Sequence, residues 1–211
     1  MSVALAERGA EKRHEGLREM KRRSVRWIGA LAITSTLAVT GCTASGTVTA
    51  PTSTQSVETF TSADVMFAIM MIPHHEQAVA MSDVLLSKQD IDVRVRELAE
   101  GIRAAQQPEI ELMESWLDEW GMDEFGDMGR MTPGAGMMMS EMDMSVLEDA
   151  SGTDAERVFL EEMIVHHEGA IQMSEALLEA GSNPDARDLA EEIIVDQTDE
   201  IALMRDLLAE Y

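Results

Sequence analysis

Beginning near residue 62, side chains recur at alternating four- and three-residue steps. Phe67, Met71, His74, Ala78, Met81 and Leu85 fall on one stripe of a helix, apolar but for its histidine. At an offset of 92 the stripe returns as Phe159, Met163, His166, Ala170, Met173 and Leu177. A second matching pair of faces follows at an offset of 91. Leu98, Ile102, Gln106, Glu109, Ile110 and Met113 correspond to Leu189, Ile193, Gln197, Glu200, Ile201 and Met204. The spacing predicts four helices, over about 62–87, 91–120, 153–181 and 184–211. Thr153 with Glu156 reads as a capping box for the third. Gly181 reads as its stop, and Pro184 behind Asn183 as a first-turn residue of the fourth. Short links within each helix pair require antiparallel neighbours. The expected fold is therefore all-α, a four-helix bundle made of two duplicated antiparallel hairpins about a pseudo-twofold axis.

The flanks differ in kind. Lys21, Arg22, Arg23 and Arg26 precede an apolar stretch, 27–39, that is too short and too rich in Thr and Ser to span a bilayer. It ends in Val39-Thr40-Gly41-Cys42, with the only cysteine of the chain. This pattern resembles a bacterial lipobox. Residues 1–41 read as a lipoprotein signal peptide with a plausible true start at Met20, and Cys42 as the lipidated residue. Residues 42–61, rich in Thr, Ser, Ala and Gly, read as a flexible stalk to a domain at 62–211. Between the hairpins, 121–152 is a Met- and Gly-rich linker carrying Met122, Met128, Met131, Met137, Met138, Met139, Met142 and Met144, with a short helix expected over 140–150. It reads either as a gap-filling loop or as a thioether-rich strand able to catch Cu(I).

Charge narrows the partners. Of 16 basic and 40 acidic residues, residues 1–41 hold 8 and 4, which leaves a net charge near −28 on the remainder. That excludes a nucleic-acid partner and suits a solvated acidic body outside the membrane. A chain of this length has enough apolar face to fold as a monomer.

The chemistry sits in the repeat. Met-Ile-Pro-His-His-Glu-Gln-Ala-Val-Ala-Met (71–81) returns as Met-Ile-Val-His-His-Glu-Gly-Ala-Ile-Gln-Met (163–173), and four of the five histidines lie in these copies. His74 and His166 are expected to point inward. His75 and His167, about 100° round, are expected at the stripe's edge or facing an adjacent helix. Glu109, Met113, Glu200 and Met204 project from the second helix of each hairpin toward the same interior. Each half thus offers imidazole, thioether and carboxylate, the first two being ligands that suit copper as Cu(I) or Cu(II). A hydrogen-bonded network of His74 and His166 with Glu109 and Glu200 would satisfy the same groups without metal. Pro73 and Pro108, replaced by Val165 and Asp199 in the second copy, are expected to make the halves unequal in geometry.

At these residues the chain resembles the bacterial domain of unknown function 305 (DUF305) family. The likeness spans the two His-His segments and the Gln-x-x-Glu-Ile-x-x-Met segments at Gln106 and Gln197. The resemblance implies a ferritin-like four-helix bundle in exported proteins, with copper binding and tolerance among some members. It implies His74, His75, His166 and His167 as ligands, with Met71, Met81, Met163 and Met173, and brings no enzymatic activity. A ferritin-like di-metal oxidase would need Glu-x-x-His motifs. Here the second helices carry Gln-x-x-Glu, and Glu162 precedes His166 by four. The expected function is a lipid-anchored, extracytoplasmic copper-sequestering or copper-passing protein. The alternative is a metal-free envelope scaffold.

Overall fold

Thr61 sets the start of the first helix. Its hydroxyl accepts the backbone N–H of Asp64, and the Asp64 carboxylate accepts the Thr61 N–H in return. The helix, α1 (Ser62–Leu86), runs unbroken through Pro73. After it comes α2 (Val93–Glu119), capped by Asp92 and continuous through Pro108. A short α3 (Glu141–Asp149) precedes the second hairpin, α4 (Gly152–Ala180) and α5 (Pro184–Leu208), the latter capped by Asn183. The computed structural model describes residues 60–122 and 138–211, and among these there is no strand. The signal segment 1–41, Cys42, most of the stalk, and Met128, Met131 and Met137 lie outside the described residues.

One expectation about helix starts is corrected. α4 begins at Gly152 behind Ser151 with no side-chain cap bond, so Thr153 and Glu156 do not form a capping box. Glu156 is instead buried and turned outward to the other hairpin. It accepts the backbone N–H of Asp92 at 2.5 Å and the Tyr211 hydroxyl at 2.6 Å. Asp64 does the corresponding thing in the first half, accepting the N–H of Ser182 at 3.1 Å and of Asn183 at 3.2 Å. Positions 64 and 156 are equivalent in the repeat, as are 92 and 183. Each hairpin therefore grips the N-cap residue of the other's second helix with a buried carboxylate. Burial pushes the Asp64 carboxyl up, but the bonds from Thr61, Ser182 and Asn183 together hold it below its ordinary value.

Packing follows from these faces. α1 lies along α2 and α4 along α5, α1 crosses α4, and α3 rests on both α1 and α4. Every member of the first stripe is buried, and of the second only Met173 is partly exposed. The apolar core divides into two clusters. One joins Phe67, Met71 and Ile72 of α1 to Met113 and Trp116 of α2, Leu177 of α4 and Ile193 of α5. The other joins Met81 and Leu85 of α1 to Leu98 and Ile102 of α2, Phe159 and Met163 of α4, and Met204 of α5. Residue numbers rise along α1 from the first cluster to the second and fall along α4, as antiparallel crossing requires. On α1 the gap between clusters falls between Ile72 and Ala78; on α4 it falls between Met163 and Ala170. Both histidine pairs occupy that gap.

Candidate metal centre

The four histidines form a polar layer in the middle of the bundle, each at most 2% exposed. His74 and His166, the stripe members, meet across the α1–α4 crossing with ring centroids 3.7 Å apart and planes at 36°. The next residue on each helix, about 100° round, turns into its own hairpin. His75 Nε2 lies 2.8 Å from Glu109 Oε2, and His167 Nε2 lies 2.6 Å from Glu200 Oε2.

Two expectations change here. The His–Glu pairs involve His75 and His167, not His74 and His166, because the stripe faces the opposite hairpin while its neighbour faces the helix within the hairpin. Nor does each half hold its own separate set of groups. The inward histidines of both halves touch, so the layer is shared.

The methionines are shared as well. Met71 and Met113 belong to the first cluster, with Met173 of the other hairpin packed against it. Met163 and Met204 belong to the second, with Met81 of the other hairpin. Of the repeat methionines, each cluster flanking the histidine layer thus takes three, two from one hairpin and one from its mate. Of the described linker methionines, Met139 is buried in the second cluster and Met142 is 78% exposed, so they do not act as one unit. Gln77 fixes Met139 through both backbone groups, donating to its carbonyl and accepting its N–H at 2.8 Å each. Lys88 Nζ donates to the carbonyls of Glu148 and Ala150 at 2.8 Å. These contacts strap α3 to α1 and to the turn that follows it. Gln77 has Gly169 as its counterpart, a difference visible in the repeat whose meaning required the third dimension.

Several buried polar atoms in and near the layer have no hydrogen-bond partner within the protein. These are both ring nitrogens of His166, Nδ1 of His75 and of His167, Oε1 of Gln106 and of Gln197, and Oγ of Ser82 and of Ser174. An unsatisfied buried polar atom costs about 1–3 kcal/mol. The last six come in repeat-equivalent pairs, so the pattern belongs to the architecture rather than to one irregular side chain. Burial holds the His166 imidazole well below its ordinary value of 6.5, and His74, His167 and His75 push in the same direction. The ring is therefore neutral at physiological pH, the form that binds metal. Among the described residues no three His, Cys, Asp or Glu side chains are grouped to hold an ion. What the layer offers is imidazole, with methionines in the clusters on either side, and not a carboxylate cage.

Known structures share this architecture. A DUF305 protein from Streptomyces coelicolor, provisionally described as secreted, is 35% identical over 70% of this chain and 91% of its own, with a TM-score of 0.64. A DUF305 fragment from Deinococcus radiodurans is 32% identical over 72% and 98%, with a TM-score of 0.62. CopM in its Cu(I)-bound form is 28% identical over 70% and 96%, with a TM-score of 0.57, and has also been solved with Cu(II), with Ag and without metal. No curated protein matches the chain. The family profile described as Domain of unknown function (DUF305) matches residues 64–208, and the chain belongs to that family.

Proposed function

We propose that the protein handles copper outside the cytoplasm, taking up Cu(I) in the histidine layer and sequestering it or passing it on, while Cys42 tethers the domain to the membrane. The observation that carries this reading is His166. It is a buried, neutral imidazole in ring contact with His74, with neither ring nitrogen bonded to another side chain, in a layer flanked by methionines of both hairpins. Imidazole with thioether suits Cu(I), and methionine keeps its ligand character in an oxidising compartment where cysteine would be drawn into disulfides. The likeness to CopM, solved with Cu(I) and with Ag, supports the same reading. No helix among the described residues is long and apolar enough to cross a membrane; the lipobox-like Val39-Thr40-Gly41-Cys42 is what supports a tether through lipid on Cys42.

A metal-free polar core accounts for the His75–Glu109 and His167–Glu200 bonds. It leaves the Nδ1 atoms and His166 unsatisfied, so copper is the better reading. The test is titration of the purified protein with Cu(I) against a competing chelator, alongside a variant with His74, His75, His166 and His167 all changed to Ala. The wild type is expected to hold copper and the variant to lose it. Equal affinity in the two proteins would sink the proposal.

A further inference from the structure

The sequence presents Glu109 and Glu200 as carboxylates available to a metal, but in the fold each is engaged with a histidine. A carboxylate oxygen only accepts. The 2.8 Å contact from Glu109 Oε2 and the 2.6 Å contact from Glu200 Oε2 therefore place a proton on Nε2 of His75 and of His167. The opposite nitrogen, Nδ1, is buried in both residues with no partner in the protein. A proton on that nitrogen as well would leave an N–H donor in the core with nothing to receive it. A lone pair there is the less costly state, and it is ready to accept an ion. The arrangement occurs twice, at positions related by the internal repeat, with both histidines 0% exposed.

We propose that Glu109 and Glu200 are positioning residues rather than ligands. Each locks its histidine as the Nε2–H tautomer and presents Nδ1 as the donor to a soft monovalent ion. The identity of the ion rests on the copper reading above; the tautomer does not. Gln106 and Gln197 stand one turn earlier on the same faces of α2 and α5, each with Oε1 buried and without a protein partner.

The test uses the full-length chain labelled with 15N and silver nitrate as a diamagnetic probe. In metal-free protein, long-range 1H–15N spectra should show a protonated Nε2 and an unprotonated Nδ1 for His75 and His167. Added Ag(I) should move the Nδ1 signals and leave Nε2 protonated. Changing Glu109 and Glu200 together to Leu should weaken Ag(I) binding by about 10–100-fold. Changing both to Gln, which still accepts from Nε2–H, should restore most of the affinity. The Gln protein also guards against a Leu variant that fails to fold. A protonated Nδ1 in the metal-free protein, Ag(I) seated on Nε2, or a folded Leu variant that binds like wild type would each overturn the positioning role. A wild type that binds no Ag(I) would instead bring down the metal-binding function itself, an outcome distinguishable from the other three.

Discussion

In the first hairpin the histidine-holding carboxylate, Glu109, follows Pro108 and its side chain is 23% exposed. In the second, Glu200 follows Asp199 and is 8% exposed. Met81 is fully buried where its counterpart Met173 is partly open, and Gln77 straps α3 where Gly169 carries no side chain at all. Against these differences stand identical inward groups: His-His, the glutamate, the glutamine and the methionines. The periphery of the two halves has diverged while the polar layer has kept its symmetry. Chemistry performed by the layer is thus constrained to use both halves, and access to it is free to differ between them.

The reciprocal carboxylates give the largest lever on this comparison. Asp64→Ala orphans N–H groups of Thr61, Ser182 and Asn183 and is expected to cost about 3 kcal/mol. Glu156→Ala, which releases Asp92 N–H and the Tyr211 hydroxyl, should cost about 2 kcal/mol. Urea denaturation of the two variants ranks them, and the reverse order would show that the second lock is the stronger. The first lock also has a pH signature. The Asp64 carboxyl lies below its ordinary value of 3.8, so its stabilisation is complete above that value and fades as pH falls through the depressed one. The stability gap between wild type and Asp64→Asn should therefore close in strong acid. A gap unchanged by acid would contradict the assignment.

The two hairpin turns give the next effect, with opposite signs. A Cβ on Gly181 would lie 2.5 Å from Asp64 Oδ1 and 2.9 Å from the Leu177 carbonyl oxygen, as well as against the Leu177 side chain. Gly181→Ala should therefore destabilise by about 1–3 kcal/mol. In the first hairpin Asp90 adopts a φ of 59°, and Asp90→Gly should stabilise by up to about 1 kcal/mol. Thermal melts of both variants read this directly; a neutral Gly181→Ala would mean that the turn shifts to make room. The smallest effect is local. Gln77→Ala should speed amide exchange across 138–150 while leaving the midpoint of global unfolding nearly in place. Unchanged exchange there would assign the hold on α3 to Leu147 and Lys88 instead.

Much of this architecture was legible in the sequence. The four- and three-residue steps fixed which faces are buried, and the constant offsets of 92 and 91 revealed two equivalent hairpins. What remained hidden lay between hairpins. Whether His74 meets its own hairpin's Glu109 or the other hairpin's His166 depends on where α1 crosses α4, and periodicity along one helix carries no information about crossing points. The same limit explains Glu156. Its spacing from Thr153 suggested a local cap, but its partner Asp92 stands 64 residues away. Only the equivalence of positions 64 and 156, both acidic, hinted that the two residues share a task.

That shared task bears on how the molecule is assembled. The grip of Asp64 on Asn183 and of Glu156 on Asp92 is isologous: what one hairpin gives, the other returns through the same patch of surface. Such an interface closes on itself after two copies and has no dependence on chain connectivity. Two separate hairpins of this design would dock with the same register and bring the same pair of histidines ring to ring. The covalent link between the halves then keeps each half at the other's side, and through α3 it also packs on both. It also lets the two sequences drift apart in everything except what they hold in common at the centre.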